Sequence, residues 1–223
     1  MKRFKVFFIS ILFLQSCSSI NIQSVAPNYF DAYLNIKGSI LGFDELPISR
    51  EFVDDIPYAS LRLKIGKGSS GLLILEEIQE KNLTYLSADN VRFVIKNGKI
   101  VRTSGLDNNL VRIKQPKNSL VEFLKSKKDE ISYYSYLTYD EPVLIDLQTK
   151  VTLKKIGEEK ITILDLNYSL LKFQEQIENS YLGWRVINYY WVDPLDNFVW
   201  KSQQTISPLI PTIVYEVTKK PTL

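Results

Sequence analysis

The chain has 223 residues, with 28 lysines and arginines against 25 aspartates and glutamates, no histidine and one cysteine. A single cysteine excludes a disulfide within the chain, and a catalytic thiolate would lack the histidine that usually serves as its base. A formal net charge of +3 gives no electrostatic reason to expect nucleic acid as a partner.

The N-terminus has the layout of a secretory signal peptide. Lys2, Arg3 and Lys5 form a positively charged start, and an apolar run broken only by Ser10 extends from Val6 to Leu14. This run is much shorter than the roughly 20 residues that a membrane-spanning helix needs. A permanent anchor helix is therefore not expected.

The single cysteine lies where this run ends. Leu14, Gln15, Ser16 and Cys17 resemble the bacterial lipobox, with an aliphatic residue three positions before the cysteine and a small residue directly before it. The resemblance implies that residues 1–16 are removed and that Cys17 becomes the first residue, carrying a covalent lipid. The alternative is an ordinary secreted protein with a chance cysteine at the end of its signal.

Cleavage before Cys17 also has consequences for the location and the net charge of the mature protein. Ser18 stands where inner-membrane retention signals commonly have aspartate, so by resemblance we expect anchoring to the outer membrane, on its periplasmic face. Residues 17–28 then form a lipidated tether. Removing Lys2, Arg3 and Lys5 leaves 25 basic and 25 acidic residues, which makes the mature chain formally neutral.

The remainder, residues 29–223, is predicted to be one β-rich domain. Its start is an exception, because apolar residues between Tyr29 and Ile40 recur at helical spacing. Further on, Leu61, Leu63 and Ile65 alternate with basic residues, which indicates a strand with one buried face.

The clearest local signal is a hairpin, in which Asn97 and Gly98 join two alternating runs as the dipeptide favoured in a type I′ turn. A short helix is predicted over residues 119–128. Further strands are predicted over residues 110–114, 131–136, 143–153, 160–176, 184–192 and 198–206. The pattern predicts an all-β fold, mainly antiparallel sandwich or barrel-like sheets, with a few short helices.

One motif has two interpretations. Residues 66–71 match the G-x-G-x-x-G spacing of dinucleotide-binding loops, and Asp89 follows where an acidic ribose partner would be expected. Such a loop must open a helix, however, and residues 72–78 are too short and too β-like to form one. A hairpin turn is the favoured interpretation.

Three segments are distinctive in combination. They are residues 56–75 with Pro57-Tyr58-Ala59-Ser60, residues 86–106 with Asn97-Gly98, and residues 188–208 with Tyr190-Trp191-Val192-Asp193-Pro194. In this order they resemble the GfcB/YjbF lipoprotein family, which is associated with group 4 capsules and related exopolysaccharides. The resemblance implies an outer-membrane lipoprotein of mostly antiparallel β fold beside a polysaccharide export apparatus. The resemblance identifies no catalytic residue in this chain.

Catalysis on a glycan would need two carboxyl groups facing one bond. The candidates are Asp54-Asp55, Asp140-Glu141 and Asp193 with Asp196, and each pair has a simpler interpretation in a loop or turn. Without histidine, and with its one cysteine acylated, the chain is expected to hold no metal and no cofactor besides the lipid on Cys17. We therefore expect that the protein is not an enzyme.

Aromatic residues form two clusters that could stack on sugar rings. The first contains Tyr133, Tyr134, Tyr136 and Tyr139, and the second Trp184, Tyr189, Tyr190, Trp191, Phe198 and Trp200. Because aromatic residues favour strands and every second strand position is buried, most of them are expected in the core. Tyr189, Trp191 and Trp200 are the expected exposed set, for contact with a glycan or a partner.

These observations predict a non-enzymatic, lipid-anchored outer-membrane accessory protein of capsule or exopolysaccharide secretion or assembly. Its expected partners are the outer membrane, polysaccharide export proteins and the polysaccharide itself, and not nucleic acid. Two alternatives stay open, namely a periplasmic glycan-processing enzyme and a general envelope-assembly lipoprotein.

Overall fold

The computed structural model describes residues 48–116, 119–126 and 128–222. The predicted signal peptide, the tether and the helix between Tyr29 and Ile40 lie outside the described residues. Within them are two short helices, α1 (Arg50–Asp55) and α2 (Ser119–Lys125). The strands are β1 (Ser60–Ile65), β2 (Gly71–Gln79), β3 (Asn82–Leu86), β4 (Arg92–Lys96), β5 (Lys99–Ser104), β6 (Leu110–Lys114), β7 (Glu130–Tyr139), β8 (Leu144–Ile163), β9 (Leu166–Asn179), β10 (Trp184–Val192), β11 (Val199–Gln204) and β12 (Ile213–Lys219).

The twelve strands of the described residues form one antiparallel sheet, in the order β5-β4-β3-β2-β1-β12-β11-β10-β9-β8-β7-β6. The two edge strands, β5 and β6, are consecutive in sequence and lie side by side, which makes the sheet nearly closed and barrel-like. Near-closure protects strand edges that would otherwise be open to pairing with another chain. The predicted all-β fold is confirmed.

Two predicted hairpins are present. Asn97 and Gly98 have φ values of +50° and +82°, and they connect β4 to β5 with Lys96 paired to Lys99, as the type I′ prediction requires. The glycine-rich segment 66–70 is the turn between β1 and β2, and a strand follows it rather than a helix. The hairpin interpretation of this motif is therefore confirmed.

The longest hairpin differs from its prediction. Instead of separate strands over 143–153 and 160–176, β8 continues to Ile163 with an irregularity near Gly157 and turns into β9 at Leu164 and Asp165. Both turn residues have positive φ, +42° and +67°. Aspartate tolerates that conformation but leucine rarely adopts it, so this pair is a weaker turn signal than Asn97 and Gly98.

The predicted strands do not include β12, although it lies between β1 and β11 and joins the two ends of the described chain. Ile213, Tyr215 and Val217 on this strand are buried in the core. Its apolar run between two prolines is too short for periodicity to distinguish a buried strand from other apolar segments.

The loop prediction for Asp54 and Asp55 is wrong, because both residues belong to α1. Ser49 caps this helix by accepting a hydrogen bond from the backbone N–H of Phe52 at 3.1 Å. The helix ends two residues before Pro57, which disfavours a helical conformation in the residue preceding it. Neither described helix is long and apolar enough to cross a membrane.

The apolar side chains form two clusters. The larger one is built mainly by β1 to β5 and β12, and it includes Leu61, Tyr85, Phe93, Ile100, Ile213 and Tyr215. The smaller one packs α2 onto β8 to β11, with Leu120, Phe123, Leu153, Phe173, Tyr190 and Val192. Each fully buried large side chain contributes about 1.5–3 kcal/mol of transfer free energy. Helix α2 is thus fixed on β8 to β11, and its first residues line a cavity.

Candidate functional site

The predicted anchor, Leu14, Gln15, Ser16 and Cys17, lies outside the described residues. Lipidation of Cys17 therefore stays a prediction. The remaining candidates can be placed on the sheet.

The expected exposure of Trp191 is wrong, since its side chain is only 5% exposed. Lys172 covers it from the neighbouring strand, with Nζ 4.9 Å from the ring centroids of both Trp191 and Tyr189. Lys201 covers it from the other side, with Nζ 5.3 Å from the same indole ring. Lysine stems that lie along apolar surface bury the ring while their charges stay near water.

Trp200 is half-buried and is not part of that cluster. Its ring lies 4.5 Å from Tyr168 and 5.1 Å from Phe198 between centroids, and its Nε1 donates to Asp193 at 3.3 Å. The three residues of the predicted contact set thus divide between two packed clusters. Nothing in this geometry gives them one open ring face for stacking.

The carboxylates considered for catalysis support turns. Asp140 accepts hydrogen bonds from the backbone N–H and the side-chain amide of Asn109, at 2.7 and 2.8 Å. Asp193 and Asp196 each accept a backbone N–H two residues later, at 2.9 Å, in the turn after β10. Asp140 follows β7, and the antiparallel topology places the end of β7 at the opposite end of the sheet from Asp193 and Asp196, which follow β10. In the described part of the chain, no three His, Cys, Asp or Glu side chains are grouped to hold a metal ion.

A cavity of about 420 Å³ lies at the seam between the sheet edges β5 and β6, and we call it the seam cavity. Its walls come from β2 to β5 on one side and from β6 and the start of α2 on the other. This volume is in the range of about 300–1,000 Å³ that is typical of small-molecule sites. The seam of a nearly closed sheet therefore leaves room for a ligand.

A buried ion pair lines the seam cavity. Lys99 on β5 and Glu175 on β9 are 8% and 1% exposed, and Lys99 Nζ lies 2.5 Å from Glu175 Oε1. The other carboxylate oxygen accepts hydrogen bonds from Asn188 Nδ2 at 3.1 Å and from the Tyr190 hydroxyl at 2.8 Å. Lys99 also donates to Gln115 Oε1 at 3.4 Å. Both charges are thereby hydrogen-bonded, as burial demands.

A second polar group ties the β4–β5 turn to the far side of the sheet. Gln204 on β11 accepts from the Ile100 N–H at 3.0 Å and donates to the Gly98 carbonyl at 2.9 Å. The Tyr215 hydroxyl donates to the same carbonyl at 2.7 Å. These bonds cross the interior and hold edge strand β5, including Lys99, in place.

Burial and charge act in opposite directions on the Glu175 carboxyl. Burial alone would raise its pKa, but the Lys99 charge and the hydrogen bonds from Lys99, Asn188 and Tyr190 outweigh burial and hold the pKa below its ordinary value. Burial, followed by the Glu175 charge, raises the pKa of Tyr190 well above its ordinary value. The carboxylate thus stays ionised and the Tyr190 hydroxyl stays a donor.

This shift predicts how stability depends on pH. A carboxyl with a lowered folded-state pKa stabilises the fold above its unfolded-state pKa, and that contribution is lost as the pH falls through the folded-state value. The free energy of unfolding should therefore decrease as the pH is lowered from about 4.5. Denaturant titrations of wild type and Glu175→Gln test this, with a shallower pH dependence expected for the variant. Equal slopes would contradict the assignment.

The sequence predictions missed both members of the ion pair. Glu175 lies between Phe173 and Ile177 in the alternation of β9, at a core-facing position. One signal was available in the sequence: Glu175 is charged at a strand position where the alternation requires an apolar residue, which indicates a buried charge. Its partner Lys99 is 76 residues away, and sequence spacing does not reveal that contact.

Comparisons with known proteins agree with this architecture. A family model described as group 4 capsule polysaccharide lipoprotein gfcB, YjbF, matches residues 33–217. The uncharacterized lipoprotein GfcB of Escherichia coli strain K12 is 22% identical over 196 residues, which are 87% of this chain and 88% of that protein. The crystal structure of the hypothetical lipoprotein YmcC from Escherichia coli K12 superimposes with a TM-score of 0.69 at 21% identity, and the match covers 85% of this chain and 96% of that one. The structural likeness supports the fold alone.

Proposed function

We propose that this chain is a lipid-anchored accessory protein of capsule polysaccharide secretion or assembly. The chain belongs to the YjbF family of group 4 capsule polysaccharide lipoproteins, and the proposal proceeds from that membership. The family match over residues 33–217 carries the proposal. It includes nearly all of the β domain and both sides of the seam cavity.

The proposed anchor is the lipid on Cys17. Its support is the lipobox resemblance of residues 14–17, together with relatives whose names include the word lipoprotein. Several acyl chains on one residue hold a protein on a membrane stably, whereas one chain binds only marginally. With Ser18 after the cysteine, the proposed location is the periplasmic face of the outer membrane.

The proposed role is binding rather than catalysis. A glycosidase acid needs a raised pKa so that it is protonated near neutral pH. In the seam cavity, the buried carboxyl of Glu175 has a lowered pKa because Lys99 and two neutral donors hold it ionised. This arrangement favours a rigid binding surface for export proteins or for the polysaccharide.

Deletion of the gene tests this function. We expect cell-surface polysaccharide to fall to background and to return when the wild-type gene is supplied, because the proposed accessory role acts on export. Outer-membrane protein levels, measured in the same fractions, should stay unchanged. Normal polysaccharide under conditions in which the genes are expressed would overturn the proposal and favour general envelope assembly.

A further inference from the structure

We propose that the seam cavity binds an acidic sugar residue, such as a hexuronic acid, of a polysaccharide chain. This inference rests on the proposed function and names the ligand class of the same protein. It is carried by the charge, the polar groups and the apolar surface that meet in this cavity.

Cations exceed anions on the cavity lining. Four basic side chains, Lys96, Lys99, Arg102 and Arg112, face two acidic ones, Glu77 and Glu175. Lys99 is paired with Glu175, and Arg112 donates to Asp146 outside the lining at 3.0 Å.

Two of these cations remain for a ligand. Within the described residues, neither Lys96 nor Arg102 has an ion pair or a side-chain hydrogen bond. Both lie on the β4–β5 hairpin, each three residues from Lys99. Charge-assisted hydrogen bonds to a carboxylate are about twice as strong as neutral ones, so these two side chains are the expected partners of the acid group.

The rest of the lining suits a ring that carries hydroxyl groups. Amide side chains of Gln79, Asn82, Asn97 and Gln115 offer both donors and acceptors, as the hydroxyl groups of a sugar require. The half-buried Tyr133 adds an aromatic surface for the C–H face of the ring. A simple anion would leave these groups unused, which favours a sugar acid over inorganic phosphate.

The cavity is also preorganised. Lys99 is held by Glu175, and the neighbouring turn is held by Gln204 and Tyr215 through the Gly98 carbonyl. Groups that are already fixed lose little conformational entropy when a ligand binds. This wall of the cavity is therefore preorganised, and only the side chains of Lys96 and Arg102 have to be ordered when the sugar binds.

Binding is tested with the full-length lipidated protein in detergent, using methyl β-D-glucuronide and its neutral counterpart methyl β-D-glucoside in ligand-observed NMR titrations. We expect the glucuronide to bind about tenfold more tightly or better, because only it offers a carboxylate to Lys96 and Arg102. The Lys96→Gln/Arg102→Gln double variant should lose this preference. Lys114→Gln, on the exposed part of β6 and outside the lining, is the matched control and should bind as wild type.

Four results would overturn the inference. They are equal binding of the two glycosides, no binding of either, retention of the preference in the double variant, and displacement of the glucuronide by equimolar inorganic phosphate, which would identify a general anion site. Because binding is measured on purified protein, its failure leaves the surface-polysaccharide result of the deletion strain unaffected. Conversely, polysaccharide could be normal after deletion while the purified protein binds the glucuronide. That result would overturn the export role but would still support the binding site.

Discussion

Replacing Lys99 with methionine is expected to lower the free energy of unfolding by about 3 to 5 kcal/mol, the cost of removing one partner of a buried ion pair. Methionine fills a similar volume but leaves the Glu175 carboxylate buried without a positive charge. Urea titrations followed by tryptophan fluorescence measure the change.

Two further variants separate charge from packing. Adding Glu175→Gln to Lys99→Met removes the uncompensated charge and keeps an acceptor for Asn188 and Tyr190, so part of the lost stability should return. Lys96→Met, on the same hairpin and without an ion pair in the described residues, should change stability by less than about 0.5 kcal/mol. A Lys99→Met effect as small as this control would contradict the structural role of the pair.

Gly98→Ala is expected to lower the free energy of unfolding by about 3 kcal/mol or more, through two effects. The residue has a φ of +82°, which is unfavourable for alanine, and a Cβ atom there would overlap the side chain of Val199. The change would also disturb the Gly98 carbonyl, which accepts hydrogen bonds from Gln204 and Tyr215. Thermal and denaturant unfolding measure the loss.

Gly183→Ala provides the matched control. Gly183 has a similar φ of +60°, but nothing lies within 4 Å of the position that a Cβ would take. Only the backbone penalty applies, so a loss of about 1 kcal/mol is expected. If both variants lost the same amount, the packing of the turn against Val199 would not contribute.

Local signals explain which parts of the fold the sequence predicts. Asn97 and Gly98 encode their turn directly, because two consecutive residues with positive φ demand such a dipeptide. The bounds of β6 and β10 agree with their predictions, since each is a short run rich in β-branched, aromatic or other apolar residues. These elements are specified by neighbouring residues alone.

Other features depend on contacts that no local pattern contains. The turn at Leu164 and Asp165 is set by the pairing of β8 with β9, in which Ile163 lies opposite Leu166. The burial of Trp191 depends on lysines from two neighbouring strands. The seam cavity exists because β5 and β6 come together at the edges of a nearly closed sheet, which sequence periodicity does not predict.

The most direct test of an anchored role in capsule export measures surface polysaccharide in the deletion strain, complemented in parallel by wild type, Cys17→Ser and the tether variant Ser24→Ala. Incorporation of labelled palmitate and immunoblots establish which variants are lipidated and that all are expressed equally. Wild type and Ser24→Ala should restore surface polysaccharide fully, whereas Cys17→Ser should carry no palmitate and restore none. Full restoration by a Cys17→Ser protein that carries no lipid would contradict the claim that this protein acts in capsule export from a membrane anchor.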